Sequence, residues 1–193
     1  VKDSMMRNNG VKERIYITDS ELEIIENRLS VEAHVQRYGF VRQYVHDHVL
    51  DCACGCGYGT YMLSKNPDVK SIIGVDRSKE AIDFAMDNYC DKKTFFTHCE
   101  NIEDFEVECI DQLVSIETIE HLKDPMTLIE MAIRNEVPEL IISFPTKKST
   151  HYNKFHYHDF TFNDIKEMLV GYYKVKDSFE YKREVGFVFA KKI

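Results

Sequence analysis

No apolar run in this 193-residue sequence approaches the length that crosses a bilayer, so no membrane-spanning helix is expected. No repeat or low-complexity tract appears, which excludes a solenoid. No signal-peptide pattern opens the chain, where Val1-Lys2-Asp3-Ser4 leads into polar residues. Basic residues are in the minority: 25 Lys and Arg face 33 Asp and Glu, for a net charge of −8. Nucleic-acid binders usually show a basic face, and here only Lys147-Lys148 and Lys191-Lys192 stand out as small basic spots. The six cysteines lack an export context for disulfides, so a reducing cytoplasm is the expected compartment. Cys52-x-Cys54-x-Cys56 lacks zinc-knuckle spacing and a second pair, and reads as small residues packed in and after a buried strand.

What remains is 44% hydrophobic and 30% charged, the balance of one soluble globular domain. Residues 1–18 show no clear period. Two amphipathic stretches follow, Glu21–Leu29 and Val31–Val45, the second with Ser30 placed to cap and Val31, Val35, Tyr38, Val41 and Val45 on one face. From there the chain alternates. Strands are expected at 48–53, 71–76, 93–99, 111–117 and 139–144. Helices are expected at 79–90, capped by Ser78 with an inward stripe of Ala81, Ile82, Ala85, Met86 and Tyr89, and at 125–135, opened by Asp124-Pro125. The stretch 102–110 is too short for a firm helix. Thr161-Phe162-Asn163-Asp164 offers capping chemistry for a further helix that Gly171 ends, and 172–181 with 185–191 reads as an antiparallel hairpin. Alternating strands and helices imply a parallel sheet covered on both faces. The expected organisation is an arm with lid helices over 1–45 and a core over 46–193.

The most informative stretch is Val49-Leu50-Asp51-Cys52-Ala53-Cys54-Gly55-Cys56-Gly57-Tyr58-Gly59-Thr60. An apolar strand ends in an acid and runs into a glycine turn that opens a helix. Bare backbone N–H groups there suit a nucleotide-like ligand. The dinucleotide fingerprint needs a third glycine where Thr60 stands, so a nicotinamide dehydrogenase is disfavoured. In a doubly wound sheet ligands sit at the carboxyl ends of the strands. Asp76 stands there after the second strand, with Arg77 beside it, as a ribose acceptor or an ordinary helix cap.

The alternation Ala53-x-Gly55-x-Gly57 after Asp51, followed in order by Asp76 and by Ser115–Pro125, resembles class I S-adenosylmethionine-dependent methyltransferases from about Tyr38 onward. The resemblance implies a Rossmann-like, doubly wound seven-stranded sheet with a C-terminal antiparallel hairpin. It implies S-adenosylmethionine as cofactor, held by Asp51, Ala53, Gly55, Gly57, Tyr58, Asp76, Arg77, Asn101, Ile102, Ile116 and Glu117. Asn101 falls at the adenine-binding acid position, with Glu100 and Glu103 as near alternatives. Ala53 replaces the family's usual glycine and is expected to need only ordinary φ. The family's glycine-bearing turn before the fifth strand is reduced to Asn135-Glu136-Val137-Pro138.

On the acceptor side, Glu117-x-x-Glu120-His121 resembles two methyltransferase groups: O-methyltransferases of ubiquinone biosynthesis with their sugar-modifying relatives, and small-RNA 2′-O-methyltransferases that bind a divalent metal through such a motif and a further histidine. Glu117, Glu120, His121 and His156 are the metal candidates. His121, His156 and Glu117 are the catalytic candidates, with His121 as direct base or as a packed histidine the other readings. Residues 151–160 hold four aromatics and three histidines, and Asn153-x-Phe155-His156 through Phe160-Thr161 resembles a segment of the sugar-modifying relatives. His158 is second to His156. Glu13-Arg14 and Arg37-Tyr38 match an arm and a pair in those relatives, with Arg37 set to meet the methionine carboxylate. The expected activity is methyl transfer to a hydroxyl of a small molecule or glycan. An RNA ribose 2′-O-methyltransferase and a non-catalytic cofactor-binding subunit are the alternatives, and a homodimer is left open.

Overall fold

The computed structural model of the chain describes residues 33–193. The expected helix at 21–29, the Ser30 cap, Val31 and the Glu13-Arg14 arm lie outside them. The elements are α1 (Ala33–Val41), β1 (Asp47–Cys52), α2 (Tyr58–Ser64), β2 (Val69–Asp76), α3 (Lys79–Tyr89), β3 (Thr94–His98), β4 (Gln112–Ser115), α4 (Met126–Arg134), β5 (Glu139–Pro145), α5 (Phe162–Leu169), β6 (Tyr173–Tyr181) and β7 (Val185–Lys192). The strands form one sheet in the order β3-β2-β1-β4-β5-β7-β6. The first five are parallel, and β7 inserts antiparallel between β5 and β6. This is the seven-stranded arrangement expected from the sequence. Among the described residues no helix is long and apolar enough to cross a membrane.

Side-chain alternation along β1 explains the two-faced core. Val49 points to one face, with Val35 and Val41 of α1, Leu63 of α2 and Ile82 of α3. Leu50, one residue on, points to the other, with Leu128 and Ile129 of α4 and Ile165 of α5. The caps read from sequence are present. Ser78 Oγ accepts from Ala81 N at 3.3 Å, and Thr161 with Asp164 forms a capping box on α5. Three details differ. The helix expected over 31–45 ends at Val41 and tightens into a 3-10 turn, Arg42–Tyr44. Met86, placed in the inward stripe of α3, is 45% exposed, because the buried stripe there is already complete with Ala81, Ile82, Ala85 and Tyr89. The stretch 102–110 forms only a 3-10 turn, Ile102–Asp104. In the turn before β5, Glu136 takes the left-handed conformation (φ 54°) of the missing glycine, and Asn135 ties this turn to residues 105 and 107 through its side chain.

Candidate active site

β1 and β4 are neighbours whose onward connections run to opposite sides of the sheet, so a crevice opens at their carboxyl ends. A cavity of about 610 Å³ occupies it. Its walls are Ala53 and Gly55 of the glycine turn, Asp76 and Arg77 after β2, Cys99–Glu103 after β3, and Glu117, Thr118 and His121–Asp124 after β4. That volume suits a nucleoside-sized ligand.

Two glycines of the turn do different work. Gly57 (φ 84°) lies against α3, where an added Cβ would sit 2.5 Å from the Ala85 Cβ. Gly55 (φ 57°) would bring its Cβ within 4 Å of nothing, and it lines the cavity. Gly55→Ala therefore costs the fold about 1 kcal/mol in left-handed strain while filling space the ligand needs. Gly57→Ala costs about 3 kcal/mol through overpacking as well. The expected outcome is a near-native melting temperature with weakened S-adenosylhomocysteine binding for the first, and a large fall in melting temperature for the second. Equal thermal effects from the two would overturn this division. Ala53 corrects the sequence reading: its φ is 60°, left-handed rather than ordinary. The turn holds an alanine in this conformation at about 1 kcal/mol of strain. Glu117, at the end of the adjoining strand, is also left-handed, at φ 52°. Strained non-glycine residues thus flank the crevice on both sides.

Asp76 combines the two roles that the sequence offered as alternatives. Its Oδ2 accepts from Gly55 N at 2.9 Å and its Oδ1 from Ser78 N at 2.8 Å, which fixes the turn and the start of α3. A carboxylate oxygen has two acceptor sites, so each can also receive a ribose hydroxyl from the cavity that Asp76 lines. Asn101 gives its Nδ2 to Asp104 Oδ2 at 3.2 Å, leaving Oδ1 to accept. Ile102, Glu100 and Glu103 line the same end.

Asp51, Gly57, Tyr58 and Ile116, also named from the sequence, do not line this cavity and stand behind its wall. Asp51 is fully buried and accepts from Thr60 Oγ1 at 2.6 Å and from Tyr38 OH at 3.2 Å, joining α1 and α2 to β1. Tyr58 packs edge-on against Tyr38 with ring centres 5.8 Å apart. Burial raises the Asp51 carboxyl to about 7. A proton held more tightly in the folded state gives stability that is full below pH 4 and lost as pH rises to 7, roughly 4 kcal/mol in all. Asp51→Asn lacks this slope, so the wild-type unfolding free energy should fall relative to the variant's between pH 4 and 7. Parallel urea-denaturation profiles would refute it.

A second cavity, of about 300 Å³, lies on the other side of Glu117 and His121, which line both. His34, Arg37, Glu120, Ser149 and His156 complete its inner wall. Arg37 Nη2 meets Glu117 Oε2 at 3.3 Å, so this arginine stands in the second cavity rather than in the one where the methionine carboxylate was expected. Ser143 Oγ donates to Glu117 Oε1 at 3.2 Å and accepts from Glu117 N at 2.9 Å. Glu120 is fully buried, and neither carboxylate oxygen has a hydrogen-bond partner. Burial and the neighbouring Glu117 push its carboxyl well above the ordinary range. His121 Nδ1 lies 3.0 Å from Phe155 O, an acceptor only, so Nδ1 holds a hydrogen, and Nε2 lies 3.9 Å from Glu120 Oε1. His156 Nδ1 lies 2.6 Å from Ser149 Oγ. Burial first, and His121 second, lower His156 to about 4, so it is neutral near pH 7. One ligand atom each from Glu120, His121 and His156 lies within 4.8 Å of the others. A buried carboxyl group beside two imidazoles is a donor set that fits a divalent cation. The cysteines form no such group: Cys52, Cys54 and Cys56 are buried and in no disulfide.

The loop between β5 and α5 is pinned over this cluster. Besides the His121–Phe155 contact, Tyr157 N donates to Glu120 O at 2.8 Å. His158 Nε2 lies 3.2 Å from Lys123 O and serves as an anchor, outside the cluster. Sequence reasoning missed His34, Ser149 and Tyr157. Only His34 left a signal, one helical turn before Arg37.

Residues 50–136 match the model of a family described as a methyltransferase domain. Comparison with curated proteins gives no match. Among solved structures, the N-methyltransferase NodS of Bradyrhizobium japonicum, in complex with S-adenosyl-L-homocysteine, superposes with a TM-score of 0.67 at 15% identity, over 90% of this chain and 97% of that one. Magnesium protoporphyrin IX methyltransferase of Synechocystis, with the same molecule bound, gives 0.69 at 14% identity over 89% and 92%. A methyltransferase of Aquifex aeolicus gives 0.62 at 16% over 80% and 88%. The chain has the Rossmann-like class I fold of S-adenosylmethionine-dependent methyltransferases, with a methyltransferase-domain match over residues 50–136.

Proposed function

We propose that the chain transfers the methyl group of S-adenosylmethionine to a hydroxyl of a small molecule or sugar held in the 300 Å³ cavity, beside a divalent cation on Glu120, His121 and His156. The observation that carries this is the shared wall: Glu117 and His121 face both cavities, so a donor in one and an acceptor in the other meet there. S-adenosylmethionine brings a methyl already activated on a sulfonium, which leaves alignment and proton removal to the protein. A bound cation would lower the pKa of the acceptor hydroxyl. Asp76, Asn101 and the Gly55 turn orient the nucleoside. Arg37 and Ser143 hold the Glu117 carboxylate at the junction of the cavities. The Phe155 carbonyl fixes the His121 tautomer, which leaves Nε2 to ligate the cation or, without one, to take the hydroxyl proton.

The Glu120 cluster also favours a second reading, metal-assisted methylation of an RNA ribose 2′-hydroxyl, against which the net charge of −8 weighs. The test is calorimetry with S-adenosylhomocysteine and NAD, then labelled-methyl transfer to sugars, phenols, amines and a short RNA, with chelator and with Mg²⁺ or Mn²⁺ restored. Micromolar S-adenosylhomocysteine binding and cation-dependent transfer to a hydroxyl are expected. Binding of NAD alone overturns the reaction class, transfer to an amine overturns the hydroxyl assignment, and transfer to the RNA selects the second reading. A protein that binds the cofactor but methylates nothing is the non-catalytic subunit.

A further inference from the structure

The segments that border the two cavities differ in charge. The walls of the cofactor cavity hold five carboxylates (Asp76, Glu100, Glu103, Glu117, Asp124) and two cations (Arg77, Lys123). The acceptor cavity's own lining holds Arg37 and Lys147 against Glu117, Glu120 and Glu184, and the further bases stand on the exposed segments that border it. The segment 146–154 carries Lys147, Lys148 and Lys154 and no acid. The turn between β6 and β7 adds Lys182 and Arg183. The fold brings these two segments together: Thr146 N donates to Glu184 O at 2.9 Å, and Lys147 Nζ meets Glu184 Oε1 at 3.2 Å. Lys182 donates to Gln36 of α1, next to Arg37. Two acids, Glu184 beside Lys147 and Asp159 near Lys148, stand against these five bases. Deeper in, Arg37 is 12% exposed and its Nε is buried without a hydrogen-bond partner. In a chain of net charge −8, a basic rim confined to one cavity mouth is a local feature that draws an anion to that mouth.

We propose that the acceptor is a phosphorylated small molecule, whose phosphate rests on the Lys147-Lys148 segment and the Lys182-Arg183 turn while its hydroxyl reaches Glu117 and His121. Adjacent lysines present compact point charges that suit a phosphate dianion. A cavity of about 300 Å³ holds a single sugar ring with its phosphate. The size of the cavity and the net charge of −8 favour a small phosphate ester over a polymer.

The inference rests on the acceptor cavity proposed above, and its test reads the cofactor separately. The protein is first titrated with S-adenosylhomocysteine, and the saturated complex is then titrated with inorganic phosphate, ribose 5-phosphate and glucose 6-phosphate, each sugar phosphate against its free sugar, and with a short RNA. Lys147→Gln/Lys148→Gln is compared with Lys191→Gln/Lys192→Gln, which removes equal charge at the opposite end of the sheet, where Lys191 pairs with Glu139. A sugar phosphate is expected to bind at least tenfold more tightly than its free sugar, and the first double variant to remove about tenfold of that affinity. The second should leave it unchanged. No preference for any phosphorylated probe, equal losses in both variants, or an RNA that binds more tightly than every sugar phosphate overturns the inference. Failure to bind S-adenosylhomocysteine overturns the methyltransferase reading instead.

Discussion

Glu120→Gln is expected to make the protein more stable and to silence it. Glu120 is fully buried, its carboxylate oxygens have no donor, and its imidazole neighbour is 3.9 Å away. Keeping such a group ionised costs desolvation that nothing offsets, and keeping it protonated at neutral pH costs the proton uptake. The amide has neither cost, so in cation-free buffer the variant should gain about 1–2 kcal/mol, or roughly 3–6 °C in melting temperature at this size. Adding Mn²⁺ should then raise the melting temperature of the wild type and leave the variant unmoved. Methyl transfer should fall at least about 100-fold in the variant, because loss of one ligand disables the cluster. Stabilisation without loss of activity would leave Glu120 a buried carboxylate with no part in the chemistry. Loss of stability would mean that its charge is compensated in the resting protein.

Asp76→Ala is the second large effect. The carboxylate holds two backbone N–H groups and borders the nucleoside end of the cavity. On the proposed role of Asp76 as ribose acceptor, losing charge-assisted bonds to two hydroxyls is worth about 2–3 kcal/mol, a factor of roughly 30 to 150 in S-adenosylhomocysteine affinity. Asp76→Asn, which keeps one acceptor oxygen, should fall between. Because Gly55 and Ser78 also lose their acceptor, a fall of a few degrees in melting temperature accompanies the alanine variant. That fall with unchanged affinity would reduce Asp76 to a helix cap.

The parts of the molecule set by local chemistry were legible in the sequence. Ser78 and Thr161 cap as their side chains dictate, and the apolar runs of β1, β2 and β5 fell within two residues of their observed bounds. Backbone strain was not legible. Nothing in the word Ala53 reveals a left-handed φ, since that conformation is imposed by the turn that Gly55 and Gly57 close. Asp51 and Tyr58 lie behind the crevice wall, and from the strand end and the glycine turn it is Cys52, Ala53 and Gly55 that line the cavity, a distinction that the run of residues alone does not make. Arg37 carried too little context to assign a cavity, since its place depends on α1 lying beside β4 rather than on its neighbours in sequence. The meeting of His121 with His156 was legible only as two separate motifs. Their 4.5 Å ring separation comes from a loop folded back across the strand ends.

Glu117 and His121 belong to both cavities, and this has a kinetic consequence. A ligand that settles on one side of these two side chains changes what the other side presents, so the affinities are linked. Linkage is reciprocal: whatever factor the cofactor gives the acceptor, the acceptor returns to the cofactor. Filling the second cavity should therefore change the rate at which the spent cofactor leaves the first. A wall of two side chains is then also the timing element of the cycle.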